Sequence, residues 1–242
     1  MKNEDKWVPT KFVERDGAWV SSRTDVGPSS WLITDLVASA YHRAIAAHCR
    51  GRVIDVGCGS APLYAMYRKH ASSVTCIDWD NSLHNLSFCD SYVDLNRAWD
   101  GVPSDSFDTV ISTDVMEHLH SPETFFSEAA RVLAPGGKFI LSLPFLYWIH
   151  EAPHDYLRHT EFSLRRLCRL NRLEVVELTT TGGAPEVLAD MAFKMFGPGK
   201  TASKFLYYFA RGMLRCPPFP RISRRTRQAL PLGYVLVASK PA

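Results

Sequence analysis

The sequence has no pair of cysteines at the C-x-x-C spacing, and its six cysteines are scattered along 242 residues. This pattern argues against a structural zinc site and against the disulfide framework of a small secreted domain. The chain also has no run of about 18 apolar residues, and its first residues are polar, so it predicts neither a membrane span nor a signal peptide. We therefore expect a cytoplasmic protein with reduced, mostly buried thiols.

Acidic residues are absent between residues 191 and 230, where nine lysines and arginines occur. The rest of the chain is consequently net acidic, although the formal net charge is +3. Apolar runs at 191–196 and 205–209 are interspersed with the basic residues. Such a segment suits a helical lid with a solvated face, peripheral contact with an anionic membrane, or binding of an anionic acceptor. No nucleic-acid-binding module accompanies it, so we expect no nucleic acid partner.

Internal repeats are missing too, and apolar runs alternate with helical patterns along most of the chain. The predicted strands are 52–56, 73–77, 91–93, 107–112, 138–143, 174–178 and 234–239. The predicted helices are 31–49, 62–70, 122–133 and 161–170, with the Ala-Pro-Gly-Gly sequence at 134–137 stopping the third of them. The alternation predicts an α/β protein with a doubly wound sheet, whose ligands bind beyond the carboxyl ends of the strands.

The turn after the first predicted strand has two glycines and lacks a third. Gly57 and Gly59 let the backbone turn tightly and approach a ligand closely. Ala61 or Pro62 occupies the place of the third glycine of a dinucleotide fingerprint, which disfavours a pyrophosphate on the following helix. A glycine turn of this kind is also common as a plain connection between a strand and a helix.

Carboxylates follow the next two strands, at Asp78 and Asp94. An acidic residue at the end of the second strand can accept hydrogen bonds from ribose hydroxyls, so we expect a nucleoside site. Five segments then resemble the class I S-adenosylmethionine (SAM) dependent methyltransferases of the UbiE-like, type 11 group. They are VIDVGCG (53–59), CIDWD (76–80), VDL (93–95), SDSFDTVISTDVMEHL (104–119) and RVLAPGG (131–137).

This resemblance covers roughly residues 50–180 and implies SAM as the cofactor. It also implies a Rossmann-like seven-stranded sheet with an antiparallel last strand. For the methionine part of SAM, the resemblance implies contacts with Asp55, Gly57 and Gly59, and it places Thr113 and Asp114 beside that part. It implies that Asp78 binds the ribose. For the adenine, it implies contacts with Asp94, Trp79 and Leu95. Two alternatives stay open, namely a core aromatic role for Trp79 and a helix N-cap role for Asp114.

Histidines cluster where an acceptor would bind. Five of the nine lie between the fourth predicted strand and the helix after the fifth: His118, His120, His150, His154 and His159. A hydroxyl acceptor needs a base as the methyl group transfers, and histidine accepts a proton near neutral pH. We take His118, His150 and His154 as the catalytic candidates, with a purely structural His118 as the alternative.

The segment PFLYWIHEAPHDYLRHT (144–160) resembles the signature of a subgroup associated with bacterial glycan and natural-product clusters. The resemblance implies acceptor contacts for Glu151, Asp155, Tyr156 and Arg158. The alternative is that Asp155 and Arg158 pair with each other and brace the loop. The spacing of His150 and His154 suits metal ligands on one helical face, but Pro153 argues against a helix, and we predict no metal site.

The sequence therefore predicts an O-methyltransferase acting on a small polar acceptor, a sugar or a natural-product scaffold. The alternatives are methylation of nitrogen or carbon, a non-catalytic SAM-fold partner subunit and, disfavoured by the missing glycine, an NAD(P)-dependent oxidoreductase. We divide the chain into an arm and helix covering the site (1–50), a SAM-binding core (51–183), a basic helical insertion or lid (184–230), and the last strand with its tail (231–242). The oligomeric state is not predictable from these features.

Overall fold

The computed structural model of the protein describes residues 1–196 and 200–242. Its strands are β1 (Phe12–Arg15), β2 (Ala18–Ser21), β3 (Gly51–Val56), β4 (Ala71–Asp78), β5 (Ser91–Tyr92), β6 (Phe107–Thr113), β7 (Leu133–Pro144), β8 (Glu174–Thr181) and β9 (Gly233–Ser239). Its helices are α1 (Trp31–His48), α2 (Tyr64–Tyr67), α3 (Pro122–Val132), α4 (Glu161–Leu170), α5 (Ala184–Phe196), α6 (Lys200–Met213) and α7 (Phe219–Thr226).

Seven strands form one sheet in the order β5-β4-β3-β6-β7-β9-β8. Neighbours from β5 to β7 pair in parallel, whereas β9 runs antiparallel to both β7 and β8. This topology confirms the prediction of a Rossmann-like doubly wound sheet with an antiparallel last strand. The strand order reverses between β3 and β6, so their carboxyl ends open a crevice at the edge of the sheet.

Both faces of the sheet are covered by apolar residues. Successive residues of a strand point to opposite faces, so Ile54 packs in one core layer and Val53 in the other. The layer of Ile54 contains residues of α3 and α4, and the layer of Val53 contains residues of α1 and α2. Burial on both sides explains why the central strands read as continuous apolar runs in the sequence.

Two predicted boundaries were wrong. The helix expected at 62–70 is limited to α2, followed by a short 3-10 turn at Arg68–His70. The Ala-Pro-Gly-Gly segment was expected to form a turn after α3, but it belongs to β7. Its backbone pairs with the end of the chain, where Gly136 N–H donates to Lys240 O at 2.9 Å and Lys240 N–H donates to Gly137 O at 3.1 Å. Those bonds replace the ones that a free turn would make with water.

The N-terminal arm contains a hairpin that we did not predict. Asp16 and Gly17 connect β1 to β2, and both have positive φ, at 52° and 73°, as a two-residue hairpin turn requires. The hairpin packs on α1, where the Phe12 and Tyr41 rings lie edge to face with centroids 5.9 Å apart. The arm is thus an ordered layer over the helix.

The insertion between β8 and β9 consists of α5, α6 and α7. Tyr207 of α6 is buried against Trp31 of α1, and its hydroxyl donates to Asp35 Oδ2 at 2.6 Å. Residues 197–199 of the predicted insertion lie outside the described residues. Within residues 1–196 and 200–242, no helix is long and apolar enough to cross a membrane.

Thr160 is the N-cap residue of α4. Its hydroxyl oxygen accepts a hydrogen bond from Ser163 N–H at 3.3 Å, as an N-cap does. We expect Thr160→Ala to lower the free energy of unfolding by about 1 kcal/mol. Thr160→Ser keeps the cap and should restore most of that loss in urea denaturation. Equal stability of the alanine and serine variants would contradict the capping role.

Candidate active site

A cavity of about 830 Å³ lies at the carboxyl ends of the central parallel strands. Its walls include Gly57 after β3, Asp78 at the end of β4, Thr113 at the end of β6 and Pro144 at the end of β7. This volume falls in the range of small-molecule sites. The position is the one expected for ligands of a doubly wound sheet.

The glycine turn after β3 forms one side of the cavity. Gly57 has φ +72°, and its N–H donates to Ile77 O at 2.9 Å. A Cβ atom at this position would lie 2.4 Å from the Val115 side chain, so only glycine fits. Glycine is therefore required at this position by the packing of Val115 against the turn.

Asp78 fixes this turn to the end of β4. Its carboxylate accepts hydrogen bonds from Gly59 N–H at 2.6 Å and from Trp79 N–H at 2.8 Å. Burial raises the pKa of Asp78, and the two backbone donors oppose that rise. Trp79, Asp94 and Leu95 also line the cavity. The structure brings the residues predicted for ribose and adenine into one cavity.

Asp114 connects the sheet to the covering layers. It has φ +55°, and its carboxylate oxygens contact Lys11 Nζ at 3.2 Å and the Tyr41 hydroxyl at 2.8 Å. Tyr41 in turn accepts a hydrogen bond from the Ser142 hydroxyl at 2.9 Å. The carboxylate is therefore occupied by the arm and α1, and it does not cap a helix, which removes the alternative considered for this residue. Asp114 and Thr113 both line the cavity.

Asp55 lies behind the glycine turn and is not among the cavity-lining residues. Its carboxylate accepts a hydrogen bond from the Tyr67 hydroxyl at 2.8 Å. Burial raises the pKa of Asp55 to about 7, with the Tyr67 bond opposing the rise and the charge of Asp78 adding to it. Asp55 supports the turn from the core side, and its predicted contact with the methionine part of SAM stays a prediction.

Carboxylates and imidazoles form another part of the cavity lining, which we call the polar wall: Glu117, His118, His150 and Glu151. Glu117 Oε1 lies 3.4 Å from His150 Nε2 and 3.7 Å from His118 Nε2. His118 Nε2 also lies 3.7 Å from Glu151 Oε2. Burial raises the pKa of Glu117, and its contact with His150 opposes this rise. The wall combines groups that can accept protons or bind cations.

Of the remaining predicted acceptor residues, two line the cavity and two do not. His154 and Tyr156 line the cavity, with His154 Nδ1 at 2.9 Å from the Tyr156 hydroxyl and the His154 ring edge-on to Trp79. Asp155 and Arg158 do not line it, and instead form an ion pair, with Arg158 Nη2 at 2.8 Å from Asp155 Oδ2. Bracing of the loop is thus the arrangement found, and acceptor contact by this pair stays a prediction.

Sequence reasoning did not single out three residues at the site. His84 lines the cavity and contacts Glu151 Oε1 at 3.3 Å, while Lys11 and Tyr41 hold Asp114. The only signal for His84 was its place just after the acidic end of β4, where ligand-contacting loops are expected. Lys11 and Tyr41 come from the arm and α1, and no local pattern links them to the sheet.

The structure also bears on the four side chains that were weighed as metal ligands and not predicted to bind one. His150, Glu151, His154 and Asp155 are on a loop rather than a helix, so the i, i+4 face does not exist. Among the described residues, the group able to hold a metal ion is Glu117, His118 and His150, whose ligand atoms all lie within 4.8 Å of one another. The residues that converge come from two loops far apart in the chain.

Comparison with known families gives an independent assignment of the domain. The family model described as "Methyltransferase domain" matches residues 33–178. The chain belongs to this family. Residues 33–178 thus form a SAM-dependent methyltransferase domain, as the motifs predicted, and SAM is the cofactor of this family.

Similar proteins include a Mycolicibacterium smegmatis protein named "Probable S-adenosylmethionine-dependent methyltransferase", 31% identical over 59% of this chain and 55% of that protein. A phosphatidylethanolamine N-methyltransferase from Cereibacter sphaeroides is 28% identical over 62% of this chain and 86% of its own length. The chain therefore spans only about half of the first of these relatives. A Bacillus halodurans structure described as a methyltransferase has the same fold, with TM-score 0.54, 16% identity, and coverage of 84% of this chain and 98% of that one.

Asp55 gives a prediction for the pH dependence of stability. Its folded pKa of about 7 lies above its unfolded value of 3.8, so the folded chain holds a proton that the unfolded chain releases. The contribution of Asp55 to stability is therefore complete below about pH 4 and is lost as the pH rises through about 7. We expect Asp55→Asn to remove the part of the pH-dependent loss of stability that Asp55 causes, which is at most roughly 4 kcal/mol.

The measurement is urea denaturation between about pH 5 and pH 8 without ligand. Asp108→Asn is the matched control, because contact with Arg52 lowers the pKa of that exposed carboxyl and moves its titration below this range. The prediction is wrong if Asp55→Asn and the wild type lose stability with the same slope.

Proposed function

We propose that this chain transfers the methyl group of SAM to a hydroxyl oxygen of a small polar acceptor, a sugar or a natural-product scaffold. The observation that carries the proposal is the polar wall, which lines the same cavity as the glycine turn. A hydroxyl acceptor has to lose a proton during transfer, and the wall supplies groups that can take it. The protein would act in the cytoplasm.

The cofactor residues predicted from the sequence line this cavity and fit SAM. When bound, SAM supplies a methyl group already activated by its sulfonium. The glycine turn at Gly57 and Gly59, with Thr113 and Asp114 beside it, would hold the methionine part. Asp78 would hold the ribose, and Trp79, Asp94 and Leu95 would hold the adenine. All of these residues line the cavity.

Three imidazoles are the candidates for catalytic groups: His118, His150 and His154. The Nδ1 atom of His118 lies 2.7 Å from the backbone oxygen of His154, so Nδ1 carries a proton and Nε2 is the ring nitrogen nearest Glu117 and Glu151. His154 is less enclosed and has its own partner in Tyr156. Positioning of the acceptor between these rings and the cofactor accounts for most of the expected catalysis.

Glu151 and Tyr156 are the proposed acceptor-binding residues, because both line the cavity next to the histidines. Asp155 would act on the acceptor indirectly. Its carboxylate accepts a hydrogen bond from His150 N–H at 2.9 Å, and Arg158 holds it from the other side. We assign Asp155 and Arg158 the role of positioning the loop that carries His150.

Nitrogen methylation is the principal alternative, and the similarity to a phosphatidylethanolamine N-methyltransferase favours it. An amine attacks through its own lone pair and needs less help from a base. A non-catalytic subunit that only binds SAM is the second alternative. Both differ from the proposal in measurable ways.

The first test is calorimetric titration of the protein with SAM, S-adenosylhomocysteine and NAD, repeated with Asp78→Ala. We expect the two adenosyl ligands to bind and NAD not to bind. Loss of the Asp78 contacts should weaken SAM by at least about tenfold. Thr160→Ala, remote from the cavity wall, serves as a control that keeps wild-type affinity.

The second part follows methyl transfer from labelled SAM to matched acceptors that differ only in carrying a hydroxyl or an amine. Products from the hydroxyl series alone support the proposal. Transfer to the amine series alone identifies an N-methyltransferase, and SAM binding without transfer to any acceptor favours the partner subunit.

The basic insertion suggests where an acceptor comes from. Phe205 and Phe209 of α6 are 71% and 61% exposed and stack with ring centroids 6.4 Å apart. Exposed lysine and arginine residues surround them in sequence, whereas Lys194 is buried in an ion pair with Asp190 and is not available. We propose that this surface contacts anionic lipid, because aromatic and basic side chains together bind membrane interfaces.

Sedimentation with lipid vesicles tests this contact. We expect binding to vesicles that contain phosphatidylglycerol and little binding to pure phosphatidylcholine. The double variant Phe205→Ser with Phe209→Ser should reduce binding by about tenfold or more, because it removes the two aromatic rings that the membrane would bury. Phe162→Ser, equally exposed on α4, is the control. Equal binding to both vesicle types would contradict the proposal.

A further inference from the structure

Glu117, His118 and His150 form a cluster whose spacing suits a shared ion better than direct bonds. The closest pair, Glu117 Oε1 and His150 Nε2, is 3.4 Å apart, and Glu117 Oε1 to His118 Nε2 is 3.7 Å. Ligand bonds of about 2.0–2.2 Å at a tetrahedral angle place two ligand atoms about 3.4 Å apart. The three ligand atoms lie within 4.8 Å of one another.

Polar atoms of the cluster also lack hydrogen-bond partners among the described residues. Glu117 is fully buried, yet neither of its carboxylate oxygens has a hydrogen bond within the described part of the chain. The same holds for His118 Nε2. Leaving a buried carboxylate without hydrogen bonds is costly, so such a group marks a place where a ligand completes the structure.

Both imidazoles are oriented from behind, as metal-binding histidines are. His118 Nδ1 lies 2.7 Å from the backbone oxygen of His154, which can only accept a hydrogen bond. His150 Nδ1 lies 3.4 Å from Asp155 Oδ2 and 3.4 Å from Trp148 O, both of them acceptors. Each Nδ1 atom thus faces an acceptor that can hold its proton, so Nε2 is the atom of each ring that can bind a cation in place of a proton.

We propose that Glu117, His118 and His150 bind a divalent first-row transition ion on the polar wall of the cavity. Two imidazole nitrogens and one carboxylate favour Zn²⁺ or Mn²⁺ over Mg²⁺, which prefers oxygen ligands alone. Glu151 lies beside the site, with Oε2 3.7 Å from His118 Nε2. Three protein ligands leave coordination positions open toward the cavity, as catalytic metal sites do.

The inference deepens the proposed function and rests on it for the identity of the acceptor. The acceptor hydroxyl oxygen binds the ion at an open position, and this lowers the pKa of the hydroxyl. The oxygen then forms its bond to the methyl carbon as the carbon–sulfur bond of SAM breaks, and S-adenosylhomocysteine leaves. The hydroxyl proton passes to His154, which is outside the ligand set. His118 and His150 are then metal ligands instead of bases.

The test is titration of untagged, chelator-treated, full-length protein with Mn²⁺ and with Zn²⁺. Calorimetry gives stoichiometry and affinity, and the electron paramagnetic resonance signal of free Mn²⁺ gives an independent measure. We expect one ion per chain, and we expect Glu117→Gln and His150→Ala each to weaken binding by at least about tenfold. His120→Ala, another histidine on the cavity wall outside the cluster, should bind Mn²⁺ as the wild type does.

S-adenosylhomocysteine affinity of every variant reports whether it is folded. His150→Ala is the safer substitution, because its side chain is partly exposed on a loop, whereas Glu117 is in the core. His154→Ala should retain Mn²⁺ binding and lose methyl transfer. That combination separates a ligand from a proton acceptor.

Other outcomes overturn the metal site without touching the methyltransferase assignment. Absence of Mn²⁺ and Zn²⁺ binding, with methyl transfer to a hydroxyl unaffected by chelator, rejects the site and keeps the proposed function. Binding that survives in both Glu117→Gln and His150→Ala places the ion elsewhere and also rejects it. Binding lost in these variants, with no hydroxyl acceptor methylated, supports the site and rejects O-methylation.

Discussion

The carboxylate of Asp78 joins the two strand ends on which the cavity is built. It accepts hydrogen bonds from the backbone of Gly59, after β3, and of Trp79, after β4. Hydrogen bonds to an ionised acceptor in a buried place are stronger than ordinary ones, so these two turns behave as one rigid unit. The arm and the loops after β6 and β7 pack around that unit, and their side chains complete the walls.

Two parts of the cavity lining differ in how they are held. The glycine turn is fixed by backbone geometry, because Gly57 has no side chain and Val115 fills the space beside it. The polar wall is held by side chains, with Asp155 orienting His150 and Arg158 orienting Asp155. A scaffold of this type keeps the cofactor constant, while changes in a few loop residues alter the acceptor.

Local patterns in the sequence were enough for the sheet and for the residues that follow its strands. Buried parallel strands are apolar on both faces, so β3 and β6 were visible as short runs, and the turns after them were visible from glycine and acidic residues. The hairpin at Asp16 and Gly17 carries a local signal, because Asp-Gly is a favoured sequence for a two-residue turn. The approach of Glu117 to His150 had no local signal, because it depends on how two loops fold over the sheet. Likewise, the ion pair of Asp155 and Arg158 competes with acceptor binding, and only the loop conformation decides between them.

The cavity is lined by residues from nearly the whole length of the chain, from Thr10 in the arm to Gly233 at the start of β9. Contacts that join such distant positions are the slowest to form during folding, because long stretches of chain must first be closed into loops. A molecule that fills the cavity therefore acts as a non-covalent cross-link between early and late parts of the sequence. Its binding energy adds to the stability of the whole chain, and the protein should resist proteolysis far from the cavity when its ligands are abundant.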